Sequence, residues 1–389
     1  MEKYSKWRDP GTGIQPFLPP MPPRTVSPIF LAILGVPSFL HSAVRALLLA
    51  VVALVHILLV DGLCLIFVPV PPLYRAINSA LTAFTCRLAL VIMGYYWIST
   101  DMVSPKRGKS GVAQISKVSP KKGDLIITNW TSYVDVLYLA FRHNPTFLLP
   151  VFSDEVATPS SLAKTGRHTG TGSASISKTD SVPQPPLLGY MPVPLLNLIA
   201  RTGSLPDTFP VPPRGVYKTL REARRKEGRA VCLFPEGTTG NGRALLRFAE
   251  GTLTEGDVGG DDEGIVWIKF IRHTPPEPFA PSATCPLPTP LKHLLFSLLW
   301  TPTPLTQRSL HVRTLHPSAS PSSPSFLPSE ILNNVPGGLD SASKDLESVW
   351  REACATVLAE TGRVRRTKGM GWTEKGTFLE YWTKAGSRR

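Results

Sequence analysis

Apolar residues are concentrated in the first quarter of the chain, in two stretches that precede the rest of the sequence. Residues 46–70 are almost wholly aliphatic, interrupted chiefly by His56 and Asp61. About 20 such residues suffice to cross the hydrocarbon core of a bilayer. Residues 76–98 form a weaker stretch that ends in aromatic side chains typical of a membrane–water interface. The pattern predicts a membrane-embedded helical anchor over residues 28–104, with one span followed by a re-entrant or second helix.

A charged residue inside the first stretch argues against a simple deep span. An ionised carboxylate at the bilayer centre costs about 2.5–3.5 kcal/mol on insertion scales, so we expect Asp61 to lie near an interface. Pro69, Pro71 and Pro72 end the first helix and allow a hairpin that leaves both flanks on the cytosolic side. A buried helical pair within a soluble protein is the alternative interpretation.

Three further regions of the sequence show little of the apolar pattern of a folded core. Residues 1–27 form a proline-rich tail without the apolar core of a cleaved signal peptide. Residues 158–186 contain almost no large apolar side chain and are predicted to be a disordered insertion, because they cannot offset their ordering entropy. Residues 317–389 contain a low-complexity stretch, a helix predicted at 345–360, and a basic tail with weak structural signals.

Residues 105–316 have the pattern of a soluble α/β domain. A β-rich run at 124–128 is followed by apolar residues at helical spacing over 132–142. Further strands are predicted at residues 146–152, 230–234, 264–270 and 309–315. The apolar decamer at 291–300 is too short to span a bilayer and is predicted to be interfacial or to line a site for an acyl chain.

The charge and the cysteine content of the chain limit the partners and the kinds of site that it is expected to have. The chain has 42 Lys and Arg against 28 Asp and Glu, a formal charge of +14 that favours polyanionic partners. The sequence lacks a zinc-finger spacing or an RNP-like aromatic block, so we expect membrane lipid and no nucleic acid as the partner. The five cysteines show no short pairing, which predicts buried thiols in a reducing compartment and neither a disulfide framework nor a metal site.

Two short blocks, far apart in the sequence, carry the candidate chemistry. Residues 129–135 read Asn-Trp-Thr-Ser-Tyr-Val-Asp and lie at a predicted strand-to-helix turn. Residues 234–242 read Phe-Pro-Glu-Gly-Thr-Thr-Gly-Asn-Gly and follow a predicted strand. The glycines of the second block let backbone amides approach a phosphate, and Arg243 adds a positive charge.

The two blocks resemble those of PlsC-type glycerolipid acyltransferases, the 1-acylglycerol-3-phosphate acyltransferase-like family, whose blocks read Asn-His-x-Ser-x-x-Asp and Phe-Pro-Glu-Gly-Thr. The resemblance covers residues 124–315 and implies a mixed sheet flanked by helices. It also implies transfer of a fatty acyl group from acyl-CoA, as co-substrate, to a lysophospholipid without a metal or further cofactor. The catalytic positions that it implies are Asp135, Ser132 and Trp130. The substrate-binding positions that it implies are Glu236, Gly237, Thr238, Arg243 and Arg201.

Trp130 stands where that family has its catalytic histidine. An indole donates a hydrogen bond but accepts none, so Trp130 cannot be the general base. Three hypotheses stay open: an acyltransferase with another base or with Asp135 acting directly or through water, a divergent branch with altered chemistry, and an inactive domain that binds lipid or serves membrane trafficking. His143 lies too far along its helix to substitute easily, and the sequence does not locate His273 or His311 relative to Asp135.

The Trp-for-His replacement and the membrane-proximal N-terminal region are similar to the fungal lysophosphatidic acid:oleoyl-CoA acyltransferase-like branch. That resemblance implies lysophosphatidic acid as the acceptor and phosphatidic acid as the product, in phospholipid and triacylglycerol synthesis. It further implies residence in the endoplasmic reticulum membrane, with the lipid droplet as a second location.

Overall fold

The computed structural model describes residues 4–23, 35–103, 119–154, 184–259, 264–299, 308–334 and 346–386. Most of the predicted disordered insertion, residues 158–183, lies outside the described residues. At its end, the buried Gln184 accepts a hydrogen bond at 2.8 Å from the backbone amide of Glu250. The last residues of the insertion therefore pack on the domain.

Two apolar helices precede the α/β domain. Helix α1 (Gly35–His56) continues through a π-helical turn (Ile57–Gly62) and a 3-10 turn (Leu63–Phe67), and α2 (Pro71–Ile92) begins after the predicted proline break. Ser38–Phe67 and α2 are each long and apolar enough to cross a membrane, by length and composition. Both present large exposed apolar side chains, among them Phe39, Leu47, Leu54, Leu58, Ile66, Leu73 and Phe84. Within the predicted membrane-embedded segment 28–104, residues 35–92 thus form two helices, whereas residues 98–103 at its end form a strand of the α/β sheet.

The later elements form the α/β domain. The described strands are β1 (Ile98–Val103), β2 (Leu125–Thr128), β3 (Thr146–Ser153), β4 (Leu187–Val193), β5 (Thr208–Phe209), β6 (Val231–Leu233), β7 (Ala244–Leu245), β8 (Val266–His273), β9 (Leu310–Leu315) and β10 (Arg365–Arg366). The described helices are α3 (Tyr133–His143), α4 (Leu195–Ala200), α5 (Leu220–Lys226), α6 (Glu255–Val258), α7 (Pro290–His293), α8 (Pro328–Asn333), α9 (Leu346–Gly362) and α10 (Trp372–Gly386).

Within the described residues, eight strands form one mixed sheet in the order β1-β9-β8-β2-β6-β3-β4, with β5 paired to β3. Strand β2 is parallel to both β6 and β8, whereas β9 is antiparallel to β8 and β4 is antiparallel to β3. The predicted α/β class, with a mixed sheet flanked by helices, is confirmed. Because β8, β2 and β6 are parallel neighbours, their carboxyl ends meet at one edge, where ligands bind in open α/β sheets.

The central strand β2 is buried on both faces of the sheet. Ile126 of β2 belongs to the core cluster of α2 and α3, which includes Leu90. Leu125 and Ile127 belong to the opposite cluster, with Leu358 of α9. Strands buried on both faces appear in the sequence as nearly continuous apolar runs, which is why the pattern located them. Helix α2 therefore shares a core with the α/β domain.

The chain beyond α9 is structured, although its sequence signals are weak. Helix α9 confirms the helix predicted at residues 345–360, and β10 and α10 follow it. Phe378 of α10 is fully buried against Trp7 and Phe17, with ring centroids 5.5 and 5.6 Å away. The contact joins the two ends of the described chain, and such long-range packing leaves no local pattern in the sequence.

Candidate active site

The first block lies at the carboxyl end of β2, where the chain turns into α3. The hydroxyl of Ser132 accepts a hydrogen bond from the amide of Val134 at 3.2 Å. Asp135 accepts from the amides of Thr131 and Ser132 at 2.8 and 2.9 Å. This reciprocal capping box satisfies amides that the first helical turn leaves unpaired. Ser132 and Asp135 therefore have a structural task at the start of α3.

Asp135 also pairs with a histidine from another strand. Its Oδ1 lies 2.6 Å from Nε2 of His273, the last residue of β8. The Asp135 side chain is fully buried, and that of His273 is 2% exposed. The other oxygen, Oδ2, accepts from the two capping amides and from the Thr131 hydroxyl at 2.8 Å. With both oxygens engaged, the carboxylate is held in one orientation.

The pairing determines the tautomer of His273. A carboxylate without a proton can only accept, so Nε2 of His273 carries the hydrogen and donates it. In the neutral ring, Nδ1 then holds the lone pair. This Nδ1 is buried and has no hydrogen-bond partner among the described residues. Such a nitrogen can take a proton from a hydroxyl placed against it.

Asn129 brings His273 to this position. Its side-chain amide donates to the carbonyl of Ile271 at 3.0 Å, and its side-chain carbonyl accepts from the amide of Ile271 at 2.8 Å. These two bonds continue the pairing of β2 with β8 beyond Thr128. Ile271 lies two residues before His273 on the same strand. Asn129 therefore fixes the end of β8 against the start of α3.

His273 lines a cavity of about 400 Å³, which we call the cationic cavity. Thr131 of the first block and Asn241, Gly242 and Arg243 at the end of the second block also line it. The arginines of its lining are Arg243, Arg272, Arg363 and Arg365. No acidic side chain lines it within the part of the chain that the structure describes. The cavity is therefore positively charged and suits an anionic group.

A second space, the apolar cavity, has a volume of about 660 Å³ and lies between α1 and α2 and the α/β domain. Most of its lining is apolar and includes Leu49, Val52, Ala89, Met93, Leu137, Leu195, Ile199, Leu291 and Leu294. Ligand pockets commonly have volumes of about 300–1,000 Å³. Tyr133 lines this cavity, whereas Thr131 lines the cationic one. The start of α3 thus separates the two spaces.

A hydrogen-bonded chain connects the walls of the two cavities. The carbonyl of Ser282 can only accept, so Nε2 of His293 donates to it at 3.1 Å. Nδ1 of His293 then accepts from the Tyr133 hydroxyl at 3.0 Å. Burial lowers the pKa of His293 to about 4, which keeps the ring neutral, as both hydrogen bonds require. Ser282 lines the cationic cavity and Tyr133 lines the apolar one, so this series of hydrogen bonds joins the walls of the two cavities.

The second block is largely buried beneath this edge of the sheet. Glu236 is 2% exposed and accepts backbone hydrogen bonds from Leu246 and Trp130. Burial, reinforced by the charge of Asp135, raises the pKa of the Glu236 carboxyl well above its ordinary value. Glu236 lines neither cavity. It ties the second block to the first.

Gly237 and Thr238 shape the same loop. Gly237 has a φ of +67°, and a β-carbon there would lie 3.1 Å from Pro206, so only glycine fits without strain. The buried Thr238 hydroxyl donates to the carbonyl of Ser204 at 2.7 Å and accepts from Nζ of Lys375 at 2.7 Å. Neither residue lines either of the two cavities described above, and their roles in substrate binding stay predictions.

The two predicted arginines have different surroundings. Arg243 is exposed and lines the cationic cavity. Arg201 forms an ion pair with Asp207 and lines neither cavity. Among the predicted acceptor ligands, Arg243 is thus the one that the structure brings to the Asp135–His273 pair, and the role of Arg201 stays a prediction.

Trp130 points into the protein core. Its side chain is 1% exposed, and its ring stacks on Phe234 with the centroids 5.0 Å apart. Phe234 stacks in turn on Phe147 at 6.2 Å. Trp130 lines neither cavity, and its Nε1 has no partner within the described segments. Its observed role is to pack the first block against the second.

The sequence did not locate His273 relative to Asp135. The predicted strand ended at residue 270, whereas β8 continues to His273. A strand parallel to β2 ends at the same edge of the sheet as β2, which is the edge that carries the first block. A histidine a few residues beyond the predicted end of such a strand was therefore the one sequence signal that could have placed His273 near Asp135.

No family model matches this sequence, and no curated protein sequence matches it. Among solved structures, the chain is similar to the 1-acyl-sn-glycerophosphate (LPA) acyltransferase PlsC from Thermotoga maritima, at 15% sequence identity and a TM-score of 0.41. The similarity covers 84% of this chain and 98% of that one. At this identity and TM-score, it carries no information on the chemistry of this chain.

Proposed function

We propose that this protein is a membrane-bound acyltransferase that moves a fatty acyl group from acyl-CoA to lysophosphatidic acid, producing phosphatidic acid for phospholipid and triacylglycerol synthesis. The buried Asp135–His273 pair beside the cationic cavity carries the proposal. It provides the base that Trp130 cannot supply. The resemblance of residues 129–135 and 234–242 to glycerolipid acyltransferase blocks supports the choice of substrates.

In the proposed reaction, His273 acts as general base toward the acceptor hydroxyl. Nδ1 takes the hydroxyl proton as the oxygen attacks the thioester carbonyl carbon. Asp135 stabilises the imidazolium that forms, as the carboxylate does in catalytic triads. The carbon–sulfur bond then breaks, and the departing thiolate of CoA takes the proton back from His273. The ester product and free CoA leave the enzyme as it began.

The two cavities match the two chemical ends of these substrates. The apolar cavity, bordered by α1 and α2, suits an acyl chain, and the cationic cavity suits the phosphate of a lysolipid. Thr131 and Tyr133 line opposite sides of the partition between them. Acyl chain and phosphate would therefore approach the start of α3 from its two sides, where Asp135 and His273 meet.

The proposed location is the endoplasmic reticulum membrane, with the lipid droplet as a second location. Two apolar helices with exposed aliphatic side chains support attachment to a membrane. Imaging of the full chain with a fluorescent tag, beside markers of both compartments, tests the location. Diffuse cytosolic fluorescence would contradict membrane attachment.

The activity test compares wild-type protein with His273→Gln in detergent, using labelled oleoyl-CoA and 1-oleoyl-lysophosphatidic acid. Glutamine retains a donor for Asp135 but offers no basic nitrogen. Loss of a general base typically lowers the rate about 10²–10⁴-fold, and we expect kcat to fall within that range. His311→Gln is the matched control, because His311 is exposed on β9 and lines neither cavity.

Unchanged kcat in His273→Gln would remove His273 from the mechanism. Failure of the wild-type protein to acylate any lysolipid, with lysolipid binding intact, would instead support the lipid-binding hypothesis. Asp135→Asn separates the two roles of the carboxylate, which are to cap α3 and to orient His273. The amide oxygen can still accept from the capping amides, whereas the amide nitrogen presents a donor to His273 in place of an acceptor. We expect it to lower kcat as well.

A further inference from the structure

Two arginines of the cationic cavity come from the C-terminal part of the chain, outside residues 124–315. Arg363 and Arg365 lie between α9 and α10. Strand β10 pairs in parallel with β7, and the register places Arg365 opposite Ala244. Ala244 directly follows Arg243, the cavity arginine of the second block. The C-terminal segment thus adds its charges beside those of the second block.

Hydrogen bonds hold this segment in place. The amide and hydroxyl of Thr367 donate to the carbonyl of Leu245 at 2.9 and 3.1 Å. The amide of Arg247 donates to the carbonyl of Met370 at 2.9 Å. The neighbouring arginine, Arg366, forms an ion pair with Glu352 of α9. The backbone that carries Arg365 is therefore fixed within the β7–β10 pair and just after it.

Unlike Arg366, Arg363 and Arg365 have side chains that the described residues leave without an ion pair. Both are exposed, and neither has an ion-pair partner in the described parts of the chain. Arg363 also has a φ of +51°, at the residue just after α9. Glycine or asparagine is preferred at such a helix end. The backbone position thus favours glycine, whereas the guanidinium adds positive charge to the cavity.

We propose that Arg363 and Arg365, together with Arg243, bind the phosphate monoester of the acceptor lipid. This assignment rests on the proposed acyltransferase function. Arginine presents a planar set of donors that matches phosphate oxygens, often with two parallel hydrogen bonds. A phosphate monoester carries close to two negative charges at neutral pH. A cavity lined by four arginines and no acidic residue, among the residues described, suits that charge.

The position of the cavity favours the acceptor over the donor as the source of the phosphate. In lysophosphatidic acid, the free hydroxyl and the phosphate are on the same glycerol. A phosphate in the cationic cavity would therefore bring the hydroxyl close to His273, which lines the same space. The phosphates of acyl-CoA are separated from the reacting thioester by the long pantetheine arm.

The experiment measures KM for each substrate separately in the full chain. Arg363→Ala/Arg365→Ala is compared with wild type, with 1-oleoyl-lysophosphatidic acid varied at saturating oleoyl-CoA and then the reverse. We expect KM for lysophosphatidic acid to rise about 10- to 100-fold, since hydrogen bonds to charged groups are the strong ones, with little change in kcat or in KM for oleoyl-CoA. Because lysine keeps the positive charge, the single variant Arg365→Lys should show a smaller rise in KM for lysophosphatidic acid than the double alanine variant.

Arg214→Ala is the matched control, because Arg214 is exposed but lines neither cavity. An unchanged KM for lysophosphatidic acid in the double variant would overturn the assignment. So would a rise confined to KM for oleoyl-CoA, which would give the arginines to the donor phosphates. If thermal denaturation shows that the double alanine variant is not folded, KM for lysophosphatidic acid is compared between Arg365→Lys and Arg365→Gln instead.

A binding measurement separates this inference from the proposed function. If the wild-type protein shows no turnover, the proposed function fails, and binding of labelled 1-oleoyl-lysophosphatidic acid still tests the arginines. Weaker binding in the double variant, with binding of the phosphate-free monooleoylglycerol unchanged, would support the phosphate site. Equal loss of binding for both lipids would overturn it.

Discussion

Placing a histidine at position 130 should destabilise the protein without improving catalysis. In Trp130→His, the new ring would stand in the core against Phe234, because position 130 lines neither cavity. It would not meet the acceptor hydroxyl at the cationic cavity. His273 would remain paired with Asp135, so we expect kcat per folded molecule to stay at or below the wild-type value.

The size of the destabilisation follows from what Trp130 contacts. Truncation of a buried Trp to Ala costs about 3–5 kcal/mol, and histidine refills part of that space. The substitution also forfeits the stacking on Phe234, which is worth about 0.5–1.5 kcal/mol for such pairs. It further replaces one buried ring nitrogen without a partner, Nε1 of Trp130, by two, and the additional unpaired group costs about 1–3 kcal/mol. We expect a net loss of about 2–4 kcal/mol in the free energy of unfolding.

Thermal denaturation in detergent measures this loss, and the labelled oleoyl-CoA assay measures kcat. About 2–4 °C per kcal/mol applies to domains of this size, so Tm should fall by about 5–15 °C. Trp130→Phe is the control that keeps an aromatic ring against Phe234 and should lose less. The decisive variant is Trp130→His/His273→Gln. If it regains activity that His273→Gln alone lacks, position 130 can hold the base and our account of the site is wrong.

Three further predictions concern single side chains. Asn129→Ala removes both hydrogen bonds to Ile271, so it should lower kcat through misplacement of His273 and lower stability by about 1–3 kcal/mol, as measured by the same two assays. Burial lowers the pKa of Lys375 to about 7, below its ordinary value of 10.5. The unfolded chain therefore binds more protons at this group between these pH values, and the contribution of Lys375 to stability should rise with pH there. Denaturation at several pH values should show that the free energy of unfolding gains less with increasing pH in Lys375→Met than in wild type. The same pH dependence in both proteins would contradict the buried position of the ammonium group. Burial also lowers the pKa of His293 from 6.5 to about 4, so stability should fall as the pH falls through this window, and His293→Gln should weaken that dependence.

The local elements around the site could be predicted because their patterns are local. The strand at 124–128 and the helix at 132–142 correspond to β2 and α3 within one or two residues. Ser132 and Asp135 mark the helix start by the same spacing that makes a capping box. Each of these signals involves neighbours in sequence, so no knowledge of the tertiary fold was needed.

The composition of the site could not be predicted from such patterns. Asp135 and His273 are separated by 138 positions, and they meet only because β2 and β8 are parallel neighbours. Arg363 and Arg365 reach the same cavity through the pairing of β10 with β7. A two-residue strand has no recognisable period, and its partner cannot be chosen from one sequence. Pairing between distant segments therefore decided which charged residues share the site.

The two oxygens of Asp135 have separate partners, which bears on what position 130 can be. Oδ2 serves the helix cap, and Oδ1 is directed to the end of β8. In the proposed mechanism, the carboxylate therefore orients a base that comes from the end of β8. With His273 as that base, the mechanism requires no basic nitrogen at position 130. A large aromatic side chain can then pack on Phe234 and join the two blocks, as Trp130 does.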